Sequence, residues 1–314
     1  MILLFVLKKY EFKKGLLYSK PFLFIKRKKM ARLKIAVQNK GRLYDDSMNL
    51  IKEAGFKFSL KGRELLASAK NFPIDALFLR DDDIPQTVSD GVADIGIVGE
   101  NEVLERGKKV KIIKRLGFSK CHLSLAIPRS EEYNDISYLN DKKIATSYPG
   151  ILKKFLKENN IKADIHVITG SVEIAPGIGL SDAIFDIVSS GSTLVSNRLK
   201  EVEKVISSEA LLIGYPEMSE NKKKLLEEFL FRLDSVQRAE GKKYIMLNAP
   251  NNKIAEIAKI LPGMKSPTVT PLEEKGWSSL QSVIAENEFW EIIGKLKKAG
   301  AQSILVLPIE KMIF

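Results

Sequence analysis

From residue 31 onward, short β-branched or aliphatic runs alternate with stretches whose apolar residues fall at helical spacing. Runs at 33–37, 74–79, 95–98, 123–127, 144–145, 165–168 and 184–188 predict strands. Strands interleaved with helices argue for an α/β protein with largely parallel sheets. Between the first two runs Met48, Ile51 and Ala54 share one helical face. Gly55 follows them as the left-handed residue that ends such a helix.

A longer helix starts near Ser219, places Leu226, Phe229, Leu230, Leu233 and Val236 on one face, and stops at Gly241. It reads as a connector to a separate unit. Beyond it the pattern predicts a strand at 244–247, a helix at 254–261, strands around Val269 and at 277–284, a helix, and a last strand at 304–307. Phe289, Ile292, Ile293 and Leu296 form the apolar stripe of that last helix. The order βαββαβ is that of a ferredoxin-like sandwich.

With 314 residues, 45% of them apolar, the chain is long enough for two or three domains. One cysteine, Cys121, and two histidines, His122 and His166, exclude a disulfide framework and a cysteine-based zinc cluster, and point to a reducing, cytoplasmic setting. The net charge of +12 suggests nucleic acid until it is located: residues 1–29 carry +8, leaving +4 for the rest. No base-reading motif accompanies it, so neither DNA nor RNA is an expected partner. The apolar run at 2–7 is far too short to span a membrane. Met30 opens an ordinary buried strand, so the basic segment 1–29 reads as an extension outside the mature protein or, alternatively, as a membrane-surface anchor.

The stretch richest in chemistry is SDAIFDIVSSGSTL, residues 181–194, where a strand carrying two acids runs into a small polar loop. Ser189, Ser190, Gly191, Ser192 and Thr193 have side chains small enough to let backbone N–H groups approach an oxyanion, and a helix after them would add its positive end. Asp182 and Asp186 can accept hydrogen bonds from ribose hydroxyls or hold Mg²⁺ through water. A plain serine-rich turn after a core strand fits the spacing equally well. Lys40, Gly41, Arg42 and Leu43 follow the first strand, at the carboxyl end where open sheets bind ligands, and two cations there suit a triphosphate. Arg80, Asp81, Asp82 and Asp83 follow the second strand directly, and Gly99, Glu100 and Asn101 end another and would close the same cleft.

The 181–194 segment resembles the stretch of ATP phosphoribosyltransferases that binds phosphoribosyl pyrophosphate (PRPP). The preceding TGSVEIAPGIGLSDA, which contains Glu173, fits the same family. So do AVQNKGRL (36–43), PIDALFLRDDDIP (73–85), DGVADIGIVGEN (90–101), IATSYP (144–149), LPGMKSPTV (261–269) and KLKKAGAQSILVLPIEKM (295–312). The resemblance implies a two-lobed catalytic region, similar in fold to periplasmic binding proteins, with a ferredoxin-like regulatory domain after it. Residues 31–120 would form lobe I, completed by about 208–240; 121–207 would form lobe II with the PRPP loop, and 243–314 the regulatory domain.

The same resemblance implies a cytoplasmic enzyme of histidine biosynthesis that condenses ATP with PRPP, requires Mg²⁺, and passes between dimer and hexamer. PRPP would meet Glu173, Asp182, Asp186 and the loop Ser189, Ser190, Gly191, Ser192 and Thr193. ATP would meet Lys40, Gly41, Arg42, Leu43, Arg80, Asp82 and Gly99, with Asp182, Asp186 and Arg42 closest to the chemistry. Inhibitory histidine would meet Asn248, Met264, Thr268, Leu280 and Ser303; the Mg²⁺ ligands are not assigned. Gln38 and Asn39, where many relatives carry proline and lysine, depart from the family pattern, as does Asn248, where some carry an acid. A two-lobed solute receptor, a catalytically inert regulatory subunit and a PRPP enzyme acting on another base are the rival readings.

Overall fold

In the computed structural model the described residues are 31–59, 64–189, 191–261, 263 and 266–314. The expectations for the segment 1–29, Ser190 and Met264 lie outside them.

The first strand, β1 (Leu33–Gln38), has Leu33, Ile35, Ala36 and Val37 wholly buried. Burial on successive residues means that both faces are covered, as in the centre of a parallel sheet. Next come α1 (Arg42–Glu53), β2 (Leu66–Ser68), β3 (Ile74–Leu79), α2 (Ile84–Ser89), β4 (Ile95–Gly99), α3 (Glu100–Arg106) and β5 (Lys111–Arg115). Gly55, at φ 84°, follows α1 as its residue type predicts.

The chain then builds a second sheet. Its elements are β6 (Cys121–Pro128), β7 (Lys143–Thr146), α4 (Pro149–Glu158), β8 (Asp164–Val167), β9 (Ala183–Val188), α5 (Ser192–Ser196) and β10 (Leu199–Ser208). A single residue, Glu209, leads back to the first sheet through β11 (Ala210–Gly214), followed by the long helix α6 (Glu220–Ala239).

The first sheet has the order β2-β3-β1-β4-β11-β5 and the second β10-β6-β9-β7-β8. Each therefore has a parallel centre, but antiparallel strands flank it: β11 against β4 and β5, β6 against β9 and β10. This mixed pairing corrects the largely parallel expectation. The chain crosses between the sheets twice, and a strand that enters a sheet from the other lobe need not run with its neighbours. Both crossings sit side by side, joined by backbone bonds from Leu116 N to Ala210 O at 2.9 Å and from Ala210 N to Phe118 O at 3.1 Å. Two sheets joined by two adjacent strand crossovers form the periplasmic-binding-protein arrangement.

The third sheet contains β12 (Lys242–Pro250), β13 (Thr268–Pro271), β14 (Trp277–Ala285) and β15 (Gln302–Pro308), in the order β13-β14-β12-β15 and antiparallel throughout. Helices α7 (Ile254–Ile260) and α8 (Glu286–Lys298) close one face over Ile245, Leu247, Leu280 and Ile284, with Ile257 and Leu296 of the helices packed among them. This is the ferredoxin-like sandwich. Among the described residues no helix is long and apolar enough to cross a membrane.

Candidate functional site

Strand β9 sets up the cleft. Ala183 and Phe185 pack into one core of the second lobe, while Ile184 and Val188 pack into the core on the opposite face of the sheet. Alternation therefore turns Asp186 to the face of Ile184 and Val188, near the carboxyl end of the strand. There it lines a cavity of about 120 Å³ with Glu173, Ser189, Gly191 and Thr193. Burial raises the Asp186 carboxyl to about 6, and the neighbouring Glu173 charge pushes the same way. A partly buried acid on this face is poised to receive hydroxyl donors or a cation, either of which would favour its charged form.

The loop beyond β9 turns at Gly191, which has φ 75° and caps α5. A side chain at that angle would be strained, so glycine is the natural occupant. Ser192 and Thr193 are exposed in the first turn of α5.

From the other lobe, Arg42 occupies the first position of α1 and reaches across. Its Nη1 donates to Ser189 Oγ at 3.0 Å and its Nη2 to Lys120 O at 3.2 Å. A residue expected on ATP and a residue expected on PRPP are thus hydrogen-bonded over 147 positions of sequence. Lys40 and Gly41 are exposed beside Arg42, whereas Leu43 is half-buried and packs on the first-lobe core. Arg80 and Arg106 both pair with Asp82, at 3.3 and 3.4 Å, and Gly99 caps the start of α3.

One expected residue is elsewhere. Asp182 precedes β9, at the end of the strand away from the loop, and its Oδ2 accepts from Lys143 N at 2.8 Å. Its neighbours in a separate surface recess are Tyr138, Lys142, Lys143 and Ser181. Four residues of extended chain separate it from Asp186, about 13 Å. The structure therefore does not bring Asp182 to the cradle; it ties β9 to β7.

The cleft also contains Glu102, Tyr148 and Ser208, which sequence reasoning did not select, together with Asn101, which it placed at the end of a strand. Asn101 and Glu102 of α3 are buried, and Asn101 donates from Nδ2 to Tyr148 Oη at 3.2 Å. Ser208, the last residue of β10, donates to Asn101 Oδ1 at 2.8 Å. Burial raises the Glu102 carboxyl and the nearby Asp81 adds to this, while Tyr148 and Arg106 oppose it. Tyr148 is raised by burial first, then by Glu102 and Asp186. The tyrosine thus feels an acid from each lobe. Its motif, IATSYP, is visible in the sequence, but nothing local shows what the ring would face.

In the ferredoxin-like unit, Asn248 pairs in register with Ser279, and Thr268 with Gln281, on the face away from α7 and α8. Ser279 Oγ on that face is buried without a partner. The Leu280 side chain points the other way, wholly buried in the helix-facing core. It therefore cannot share a side-chain pocket with Asn248, as expected from sequence. Ser303 has φ 49° at the irregularity where β15 meets β12.

Sequence comparison bears on what this cleft does. Residues 80–235 match the family described as ATP phosphoribosyltransferase, and residues 239–311 match the HisG C-terminal domain. The ATP phosphoribosyltransferase of Parabacteroides distasonis is 66% identical over 281 residues, 90% of this chain and 99% of that protein. The chain belongs to the ATP phosphoribosyltransferase family. The family member of Bacteroides fragilis is 64% identical over the same shares of both chains. Among solved structures, a chain of the ATP phosphoribosyl transferase (HisG:HisZ) complex from Thermotoga maritima is 29% identical with a TM-score of 0.57. That match covers 64% of this chain and 96% of the other. An ATP phosphoribosyltransferase is a pentosyltransferase, so the protein is an enzyme, not a binding-only receptor.

Proposed function

We propose that the protein condenses ATP with PRPP to give N1-(5-phosphoribosyl)-ATP and pyrophosphate, the first step of histidine biosynthesis, and that histidine inhibits it. The observation carrying the reading is the meeting of Arg42 from one lobe with Ser189 at the mouth of the cavity that holds Asp186. In this reading the loop of Ser189, Ser190, Gly191, Ser192 and Thr193 takes the 5-phosphate of PRPP. Asp186 and Glu173 face the ribose. Lys40, Gly41, Arg42, Arg80, Asp82 and Gly99 border the ATP side.

The reaction asks for orientation and charge more than for a nucleophile on the protein. Adenine N1 donates its electron pair to ribose C1 as the C1–O bond to pyrophosphate breaks, with inversion at C1. Positive character grows on the ribose, beside the carboxylates of Asp186 and Glu173. Negative charge grows on the departing pyrophosphate, on the face of the ribose opposite the attacking adenine. Among the described residues no group of three or more His, Cys, Asp or Glu could hold a metal. The pair Asp186 and Glu173 nevertheless fits a largely hydrated Mg²⁺ delivered on substrate phosphates, since that ion is commonly held by one or two carboxylates and the substrate. When bound, Mg²⁺ would neutralise charge on the leaving pyrophosphate.

The ferredoxin-like unit supplies the regulatory site in this reading, with Asn248, Thr268, the backbone of Leu280, and Ser303 as candidate contacts. A dimer and a less active hexamer would then differ in their affinity for histidine, the condition for any inhibition by it. The assay is pyrophosphate release from PRPP by the purified protein, with ATP compared against other bases. Release that requires ATP supports the reading, and none with any base rejects it. Calorimetry with histidine tests the regulatory half: no heat at millimolar concentration removes it.

A further inference from the structure

Helix α4 begins without a cap of its own. Its N-cap residue is Tyr148, whose side chain makes no capping bond, and its first residue, Pro149, has no N–H. The next two amides, Gly150 and Ile151, would be orphaned at the positive end of a ten-residue helix. They are not: Gly150 N donates to Glu105 Oε1 at 2.8 Å and Ile151 N donates to Glu105 Oε2 at 2.9 Å. Glu105 belongs to α3 in the other lobe. Each oxygen takes one amide, so a carboxylate from across the cleft does what a capping residue normally does from within the helix.

The sequence at the contact suits it. A Cβ on Gly150 would stand 3.1–3.3 Å from the Glu105 carboxyl group, closer than ordinary contact, so glycine gives the acid its room. The same helix α3 also sends Asn101 and Glu102 to Tyr148, the residue just before α4. Three side chains of one helix thus hold three positions, Tyr148, Gly150 and Ile151, at or beside the start of another. Tyr148 in turn stands near Asp186, which faces the sugar in the reading above.

The geometry points to Glu105 as a positioning residue: by capping α4 from the opposite lobe it fixes the register of the two lobes. It thereby sets the distance between the groups that meet ATP and those that meet PRPP. The inference rests on the proposed reaction for its kinetic meaning, while the clasp itself is a matter of structure. Glu105 touches neither substrate, so its loss should spare the binding of PRPP alone and slow the step that needs both substrates aligned.

The test combines kinetics with hydrogen-exchange mass spectrometry on the peptide containing Gly150 and Ile151, in the full chain. Glu105→Ala should speed exchange at those amides, lower kcat about tenfold or more, and change the KM for PRPP less than threefold. Glu105→Gln keeps one oxygen acceptor and should recover part of kcat. Gly150→Ala raises the helix propensity of α4 yet forces Glu105 back, so it should lower kcat in a protein whose helix is no weaker. It also serves if Glu105→Ala fails to fold. Unchanged exchange in the variants rejects the clasp. Faster exchange with kcat within twofold of the parent rejects the positioning role, as does a loss of PRPP binding that Gln does not relieve. A parent protein without ATP-dependent pyrophosphate release would sink the reaction instead, and the exchange data would still decide the clasp.

Discussion

Asp182 and Asp186 lie on one strand segment, four residues apart in sequence, and the structure gives them opposite surroundings. Asp186 sits near the carboxyl end of β9, partly buried, next to Glu173 and the small-residue loop. Asp182 sits before the amino end, exposed, accepting from the backbone of Lys143. The difference teaches that two acids of one strand segment take their surroundings from the end of the strand they occupy. At the carboxyl end Arg42 of the other lobe reaches Ser189; at the amino end the recess around Asp182 is lined by residues of its own lobe, Tyr138, Lys142 and Lys143 among them.

The sharpest way to break that comparison is to remove Asp186. Asp186→Ala should lower turnover about 100-fold, the effect of losing about 3 kcal/mol of charged hydrogen bonding to the ribose. Thr193→Ala should follow with a smaller loss through weaker hold on the phosphate. Steady-state kinetics beside a thermal melt separates these from unfolding. Full activity in both variants would empty the cradle of its assigned role.

Arg42 supplies the next largest effect, because it is the bridge between lobes at that end of the strand. Arg42→Ala removes the bonds to Ser189 and Lys120 O, and its positive charge from the mouth of the cavity. A fall of about tenfold to thirtyfold in kcat/KM is expected, corresponding to about 2 kcal/mol of charge-assisted bonding. Arg42→Lys should recover only part of it, since the forked guanidinium meets two acceptors and a single ammonium does so less well. A lysine variant as active as the parent would argue that charge alone matters there.

The raised carboxyl of Asp186 gives a pH signature of its own. In the free enzyme, kcat/KM for PRPP should fall as pH drops through about 6, when Asp186 takes up its proton. The effect on stability runs the other way. Because the folded value lies above the ordinary 3.8, the contribution of this group is fully present below that pH and lost as pH rises through about 6. Asp186→Asn should therefore be more stable than the parent above pH 7, by about 1–2 kcal/mol once partial exposure is allowed for. Below pH 4 the advantage should vanish. Chemical denaturation at the two pH values measures it, and a variant less stable at both would show that Asp186 is held by bonds rather than penalised by burial.

The comparison also marks how far the sequence could be read. Alternation in AIFDIV assigns Asp186 to one face of a strand, and SSGST announces a tight turn after it; both are local facts and both recur in the structure. The βαββαβ unit was legible for the same reason, since its strands follow one another and pair within 73 residues. Strands β5, β10 and β11 were not. KIIKR carries three cations and LKEVEKVISS mixed charge, both pair through bulges, and the place of ALLIG between β4 and β5 depends on a partner over 100 positions away. The partners of Asn101 in its network, Glu102, Glu105 and Tyr148, escaped for the same cause: each looks ordinary beside its chain neighbours and acquires meaning only across the cleft. Asp182 was grouped with Asp186 in the sequence, yet it lies at the other end of β9, because spacing along a strand does not say what surrounds each end.

The smallest effect, and the other arm of the comparison, is expected at Asp182 itself. Its backbone N donates to Lys143 O at 2.8 Å, and its carboxylate accepts from Lys143 N at the same distance. The first bond survives any substitution except proline; only the second depends on the side chain. Asp182→Ala therefore removes one exposed hydrogen bond that holds β9 to β7, a loss of about 1 kcal/mol in stability. Turnover should stay within twofold of the parent, because Asp186 and the loop after Val188 are carried by the rest of the β6, β7 and β9 pairing, which is untouched. Denaturant melts and the pyrophosphate assay on the same preparation decide it. If Asp182→Ala instead lost activity as severely as Asp186→Ala while remaining folded, the ribose would have to reach the amino end of β9, and the strand-end distinction would fall with it.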